Sequence, residues 1–254
     1  MKSRFFILIF LFEFLFCNMA GSDTIYEDVS MVFSDSGYPP FHINSKHKKT
    51  EAETGIVVDL LNKFQENYPY KIYTHVMPIR RVNFELDRGS MDMRYDSPVF
   101  VGKKADNFIW SEPFANSRDC IIALKNSWFE FEKPEDLFGK KVGIIRGFSY
   151  LEYDKYFKEG KISSRKVDKQ EQLIKMLKLK RLDCFIGNIH TTPYEIKLSG
   201  LPLEDFYFSN KALYSFQLMF QINKSKIKLK KDLDTFIRQA ASNGLLKSIE
   251  SKYR

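Results

Sequence analysis

The chain has 254 residues, 44% of them hydrophobic and 28% charged, with a formal charge of +8. That is long enough for one large domain or two modest lobes, and the composition excludes wholesale disorder. The basic residues alternate with acidic ones and form no arginine-rich run with interleaved aromatics, which argues against nucleic-acid binding.

Residues 1–20 open with Lys2 and Arg4, continue through an apolar run at 5–16 and end at Ala20. The run is short for a membrane span and reads as a cleaved secretory signal, with an uncleaved anchor as the alternative. Glu13 interrupts the run, and Phe16 is bulky where a lipidated Cys17 would need a small neighbour. Loss of Lys2, Arg4 and Glu13 lowers the charge by one, to +7. Cys120 and Cys184 then remain, either as one disulfide or as two buried thiols.

A first strand is predicted over 25–34, running into Asp35-Ser36-Gly37-Tyr38-Pro39-Pro40-Phe41, where consecutive prolines stiffen the exit. A polar, Lys-rich excursion follows at 42–53, then a helix from Gly55 to about Tyr68 and a strand over 71–77. Next comes an amphipathic helix with Ile79, Val82 and Leu86 on one face, stopped by Gly89. A short strand is expected at 91–95, an aromatic strand at 108–110 and a new strand from Cys120.

In the second half a strand at 142–145 meets Gly147-Phe148-Ser149, expected to open a helix through Phe157 and present N–H groups and a hydroxyl to an anion. Asp168 to Glu171 reads as a capping box for a helix over 173–179. The sequence 171–188 echoes the earlier helix, short strand and polar loop, with Asp183 where Asp92 stood. Two similar α/β units facing one cleft follow, with ligands expected beyond the carboxyl ends of the strands. The tail is helical over 228–253 with a break at Asn243-Gly244. The four histidines have no ligand spacing and no nucleophile motif occurs, so nothing calls for a metal or another cofactor.

The motifs Tyr38-Pro39-Pro40-Phe41, Gly55-Ile56-Val57-Val58-Asp59-Leu60, Trp110-Ser111-Glu112-Pro113-Phe114 and Lys180-Arg181-Leu182-Asp183 stand in an order that resembles the family 3 extracellular solute-binding proteins. The likeness covers residues 25–254. It implies an α/β, two-lobed type II periplasmic-binding-protein clamshell with two hinge crossings. Lobe 1 would hold 22–117 plus 215–254 and lobe 2 would hold 118–214, with Arg118 at one crossing and a strand over 213–222 near the other.

It also implies a ligand site. Tyr38 would form an aromatic wall, with Phe41 beside it and Asp35 facing the cleft or capping its turn. Arg80 or Arg81 would approach from a helix start, and Tyr95, Asp96 and Ser97 from a strand end. Phe148, Ser149 and Asn188 would answer from lobe 2, with Arg118 as clamp or hinge partner. In amino-acid-binding members an arginine clamps the ligand carboxylate and a second-lobe carboxylate takes the amine. Here those places fall on Lys104 and Asn188, while the loop serines become Asp96 and Val99. Losing two charge-assisted anchors of about 1.5–3 kcal/mol each argues against a standard amino acid.

The expected function is therefore that of a periplasmic, monomeric, non-enzymatic receptor closing on a small polar solute for an ABC permease or a membrane sensor. The alternatives are a cleft enzyme of cyclohexadienyl dehydratase type, with His190 as proton donor, and a ligand-free scaffold for a partner protein.

Overall fold

The computed structural model describes residues 25–44 and 53–253. The expected signal over 1–20, Cys17 and most of the 42–53 excursion lie outside the described residues.

The first half is organised on β1 (Glu27–Ser34), whose alternation sends Val29, Met31 and Phe33 to one face and Val32 to the other. Two parallel neighbours flank it, β2 (Tyr70–Met77) at the sheet edge and the short β3 (Met93–Asp96). Helix α1 (Ile56–Asn67) closes one face with Ile56, Val57, Leu60, Leu61 and Phe64. On the other face α2 (Ile79–Asp87) packs Val82 and Leu86 against Val32. Ile79 does not join them. It is 47% exposed, because the packed face of this short helix is set by the turns that follow Ile79. Four-residue α3 (Pro98–Val101) and β4 (Phe108–Trp110) complete this half before the chain leaves it.

It leaves along β5 (Ala115–Leu124), which pairs antiparallel with β8 (Cys184–Asn188) on one side and β9 (Phe206–Asn223) on the other. Parallel strands β6 (Lys141–Ile145) and β7 (Ser163–Val167) extend the sheet, giving the order β2-β1-β3-β9-β5-β8-β6-β7, with β4 on β9. One core draws its buried side chains from 29–115 and 216–249, and two others, on either face of β5 and β8, draw theirs from 120–213. Among the described residues β5 and β9 alone run between them, which makes the molecule the two-lobed α/β clamshell expected from the sequence. The helices of the second half are α4 (Tyr153–Lys158), α5 (Gln170–Lys178) and α6 (Thr191–Leu198). The chain returns to the first core with α7 (Ile227–Ser242) and α8 (Leu245–Ser251), broken at Gly244 as expected.

The repeat seen in sequence has a structural cause. Asp92 accepts the Ser30 N–H at 2.8 Å at β1, and Asp183 accepts the Lys141 N–H at 2.7 Å at β6. Each acid pins the strand next to the one it precedes. Gly89 ends α2 with φ 77°, whereas Lys180 holds φ 55° after α5, a conformation that favours glycine.

Several boundaries differ from expectation. β5 starts at Ala115 and not at Cys120, and β9 starts at Phe206 and not near 213, because their polar stretches are paired strand all the same. No helix opens at Ser149. α4 begins at Tyr153, and the Asp154 carboxylate accepts the Tyr150 N–H at 3.2 Å, so the turn carries its own anion. Before α5 it is Gln172 Oε1 that accepts the N–H groups of Asp168 and Lys169, while Asp168 pairs with Arg146. Cys120 and Cys184 are free, buried and turned to opposite faces of their sheet.

Candidate functional site

The loop after β1 is held from several sides. Gly37 turns with φ 69°, and Tyr38 closes on His42 through an N–H···O bond of 2.8 Å and its return from the His42 N–H at 3.1 Å. The Pro39–Pro40 peptide is cis. The first N–H groups of α1, Ile56 and Val57, donate to the carbonyls of Pro40 and Phe41 at 2.9 and 3.0 Å. Gly55 makes that approach possible, since a Cβ there would lie 2.5 Å from the Phe41 oxygen. The Tyr38 ring stacks on Phe41 at 5.8 Å, and Phe41 meets His190 of the second half edge-on at 5.5 Å. His190 Nε2 in turn donates to the Asn116 carbonyl at 3.0 Å.

From β3 come Tyr95 and Asp96. Asp96 bonds Arg94 Nη2 at 2.6 Å and accepts the Ser97 N–H at 2.7 Å. Arg94 is buried and fully engaged, with Nε on Gln221 at 2.6 Å and Nη1 on Asn83 at 2.7 Å.

From the connecting strands comes Asp119. Its register partners are Asn188 on β8 and Tyr214 on β9, and both side chains donate to it, Asn188 Nδ2 at 2.8 Å and the Tyr214 hydroxyl at 3.0 Å. Asn188 also donates to Ser117 Oγ at 2.7 Å, and its Oδ1 accepts the His190 N–H at 3.0 Å. Tyr150 stands nearby, its hydroxyl accepting the Ile145 N–H at 2.7 Å.

Electrostatics tie these groups into one cluster. Burial pushes the Tyr38 hydroxyl well above its ordinary value, and Asp119, Tyr95, Asp96 and Tyr150 push it further in the same direction. Tyr214 is raised by burial and then by Asp119, and Tyr95 by burial and then by Asp96. Both carboxyls are raised by burial, Asp96 against the pull of Arg94 and Ser97, and Asp119 against its bonds from Asn188 and Tyr214. Among the described residues no Lys, Arg or His lies within ion-pair distance of Asp119.

Of the residues expected from the sequence, Tyr38, Phe41, Tyr95, Asp96 and Asn188 converge here, with Ser97 buried just behind Asp96. Asp35 lies at the root of the loop, its carbonyl accepting from Asn44. The rest are not brought to the cluster. Arg80 and Arg81 are exposed on α2, Arg81 beside Glu85 at 3.4 Å. Lys104 pairs with Asp87 at 2.6 Å in a cavity of about 450 Å³ lined by Leu86, Arg88, Phe108 and Asn223. Arg118 donates to the Asn210 carbonyl at 2.8 Å. Phe148 is exposed at the rim of a 260 Å³ cavity with Arg146, Phe157 and Lys166, and Ser149 is exposed next to it. Asp119, Tyr150 and Tyr214 went unseen in the sequence. The one signal for Asp119 is its place just ahead of the apolar run 120–124.

Among the described residues no group of three or more His, Cys, Asp or Glu side chains could hold a metal, and no helix is long and apolar enough to cross a membrane.

Comparison with known proteins supports the two-lobed fold. The model of the bacterial extracellular solute-binding proteins, family 3, matches residues 31–254. A probable amino-acid-binding protein, YxeM of Bacillus subtilis (strain 168), is 20% identical over 210 residues, covering 82% of this chain and 78% of the relative. Among solved structures, a histidine kinase sensor domain with similarity to periplasmic binding proteins superposes with TM-score 0.73 at 16% identity, covering 90% of this chain and 96% of its own. An ancestral arginine-binding protein bound to arginine gives 0.70 at 17% identity, covering 89% and 97%. At these identities the structural likeness speaks for the fold.

Proposed function

Because the chain belongs to the bacterial extracellular solute-binding proteins, family 3, we propose that it is an exported, non-enzymatic receptor that closes on a small polar solute between its lobes. The lobes are taken as 22–117 with 215–254, and 118–214. The solute is delivered to an ABC permease or reported to a membrane sensor. One observation carries the reading: Phe41, stacked on Tyr38, meets His190 of the other half at 5.5 Å, with Tyr38, Tyr95 and Asp96 within electrostatic reach of Asp119, Tyr150 and Tyr214. Polar groups with shifted titration, gathered between two halves joined by only two strands, suit a ligand site closed by hinge motion. The names of the Bacillus subtilis relative and of the kinase sensor domain support small-solute recognition and leave both delivery and sensing as destinations.

Calorimetric titration against amino acids, amines and small carboxylates tests the reading, with Tyr38→Ala as the control. A solute that binds the native protein and not the variant is the expected outcome. Ligands that bind the Tyr38→Ala protein equally well place the site elsewhere and refute it.

A further inference from the structure

The charge balance of the cluster narrows the class of solute. Asp96 and Asp119 supply two carboxylates, and Arg94 supplies one guanidinium, already bound to Asp96, Gln221 and Asn83. Asp119 is left with two neutral donors, Asn188 and Tyr214, each on an adjacent strand in register. Those donors orient the carboxylate without cancelling its charge. The Tyr214 hydroxyl bonds it directly, the Tyr38 and Tyr150 hydroxyls lie close enough to feel its charge, and the hydroxyls of Tyr38 and Tyr95 make no hydrogen bond among the described residues. A half-buried carboxylate held by neutral donors alone is an environment that favours a cation.

Among the described residues the same arrangement directs no unengaged cation at an anion. Arg118 is turned to the Asn210 carbonyl, Lys104 to Asp87, and Arg146 to Asp168. A zwitterion would bring its carboxylate against Asp96 and Asp119, with Arg94 already engaged and no other guanidinium or ammonium among the described residues directed at it.

We propose that the ligand is an organic cation without a carboxylate, an amine or amidine whose charged head sits on Asp119 among Tyr38, Tyr150 and Tyr214. This rests on the receptor reading above and specifies the solute that the cleft takes.

The test pairs each amine with the amino acid that differs from it by a carboxylate: agmatine with arginine, cadaverine with lysine, tyramine with tyrosine. Calorimetry and thermal shift on the purified protein should show at least one amine binding tenfold or more tighter than its parent. Asp119→Asn should weaken that amine at least tenfold, with circular dichroism reporting the variant's fold. The paired comparison needs no variant and stands even where Asp119→Asn does not fold. An amino acid that binds as tightly as its amine, and is lost in Tyr38→Ala, overturns the cation inference and leaves the receptor intact. An amine that binds Asp119→Asn undiminished also overturns it. A protein that responds to neither class, nor to small carboxylates, overturns both.

Discussion

Replacing Arg94 with Met tests whether the buried charges are balanced as the geometry requires. The guanidinium lies 2.6 Å from Asp96 and also satisfies Gln221 and Asn83, with about 10% of its side chain exposed. Removing one partner of a buried pair costs about 3–5 kcal/mol, because the remaining charge is left poorly solvated. Asp96 keeps 26% of its side-chain surface open, so the low end, about 3 kcal/mol, is expected. Arg94→Met combined with Asp96→Asn removes both charges and should recover about 1–2 kcal/mol of that loss. Urea unfolding at pH 7, followed by circular dichroism with unchanged slope, measures both. The sign of the pH dependence is a second check. Asp96 is raised above its ordinary 3.8 by burial, so the native state holds its proton more tightly than the unfolded chain does. Its contribution is therefore fully present below 3.8 and is lost as pH rises through the native value. Without Arg94, which lowers that value, the window extends to higher pH, so the gap between variant and native protein narrows on acidification. An Arg94→Met protein within 1 kcal/mol of the original, or a double variant no better than the single one, refutes the argument.

Gly55→Ala should destabilise the fold by at least about 2 kcal/mol in the same assay, since φ 128° is unfavourable for a side chain and the new Cβ would meet the Phe41 and Pro40 carbonyls. Asn188→Leu removes donors to Asp119 and Ser117, and a loss of about 2–3 kcal/mol with a lower melting temperature is expected; an unchanged melting temperature would show that Asp119 is oriented by Tyr214 alone. Burial pushes the Cys184 thiol up to about 12 and raises Cys120, so iodoacetamide at pH 8 followed by peptide mass mapping should leave both unmodified until urea is added. Labelling of either within minutes in the native protein would contradict their burial.

Periodicity made α1, α2, α7 and the apolar strands legible to within a few residues, because their buried faces are written as Leu, Ile, Val and Phe at helical or strand spacing. It was silent where packing is one-sided or polar. β7 reads Ser-Ser-Arg-Lys-Val and is a strand only because β6 offers it a parallel edge. The polar half of β5 is strand because β9 pairs with it along its length. The site divides in the same way. Tyr38 is reached through the family resemblance of the Tyr-Pro-Pro-Phe exit, and Asp96 through its place at the end of a short strand. Asp119 owes its position to Asn188 and Tyr214, 69 and 95 residues away, and that register has no local signature. Lys104 shows the converse. Counting from Asp92 identifies a residue, but the turns between 97 and 107 carry it to Asp87 on another face.

If the receptor closes as proposed, the residues of the cluster are also those through which the halves touch. Asp119 and Asn116 lie on the same connecting strand. Asn116 accepts His190 through its carbonyl and Gln217 of β9 through its side chain at 3.2 Å, while His190 rests on Phe41 of the opposite half. A change in the bend of β5 and β9 therefore alters the Phe41–His190 contact and the approach of Tyr38 to Asp119 together. Bringing the halves together would also strip water from a carboxylate that has no cationic partner among the described residues, which opposes closure by itself. A bound cation removes that penalty and adds its own attraction, so its differential affinity for the closed arrangement is what would drive the hinge. On the proposed receptor reading, recognition and motion would share one origin, the Asp119 carboxylate on a strand that both lobes depend on.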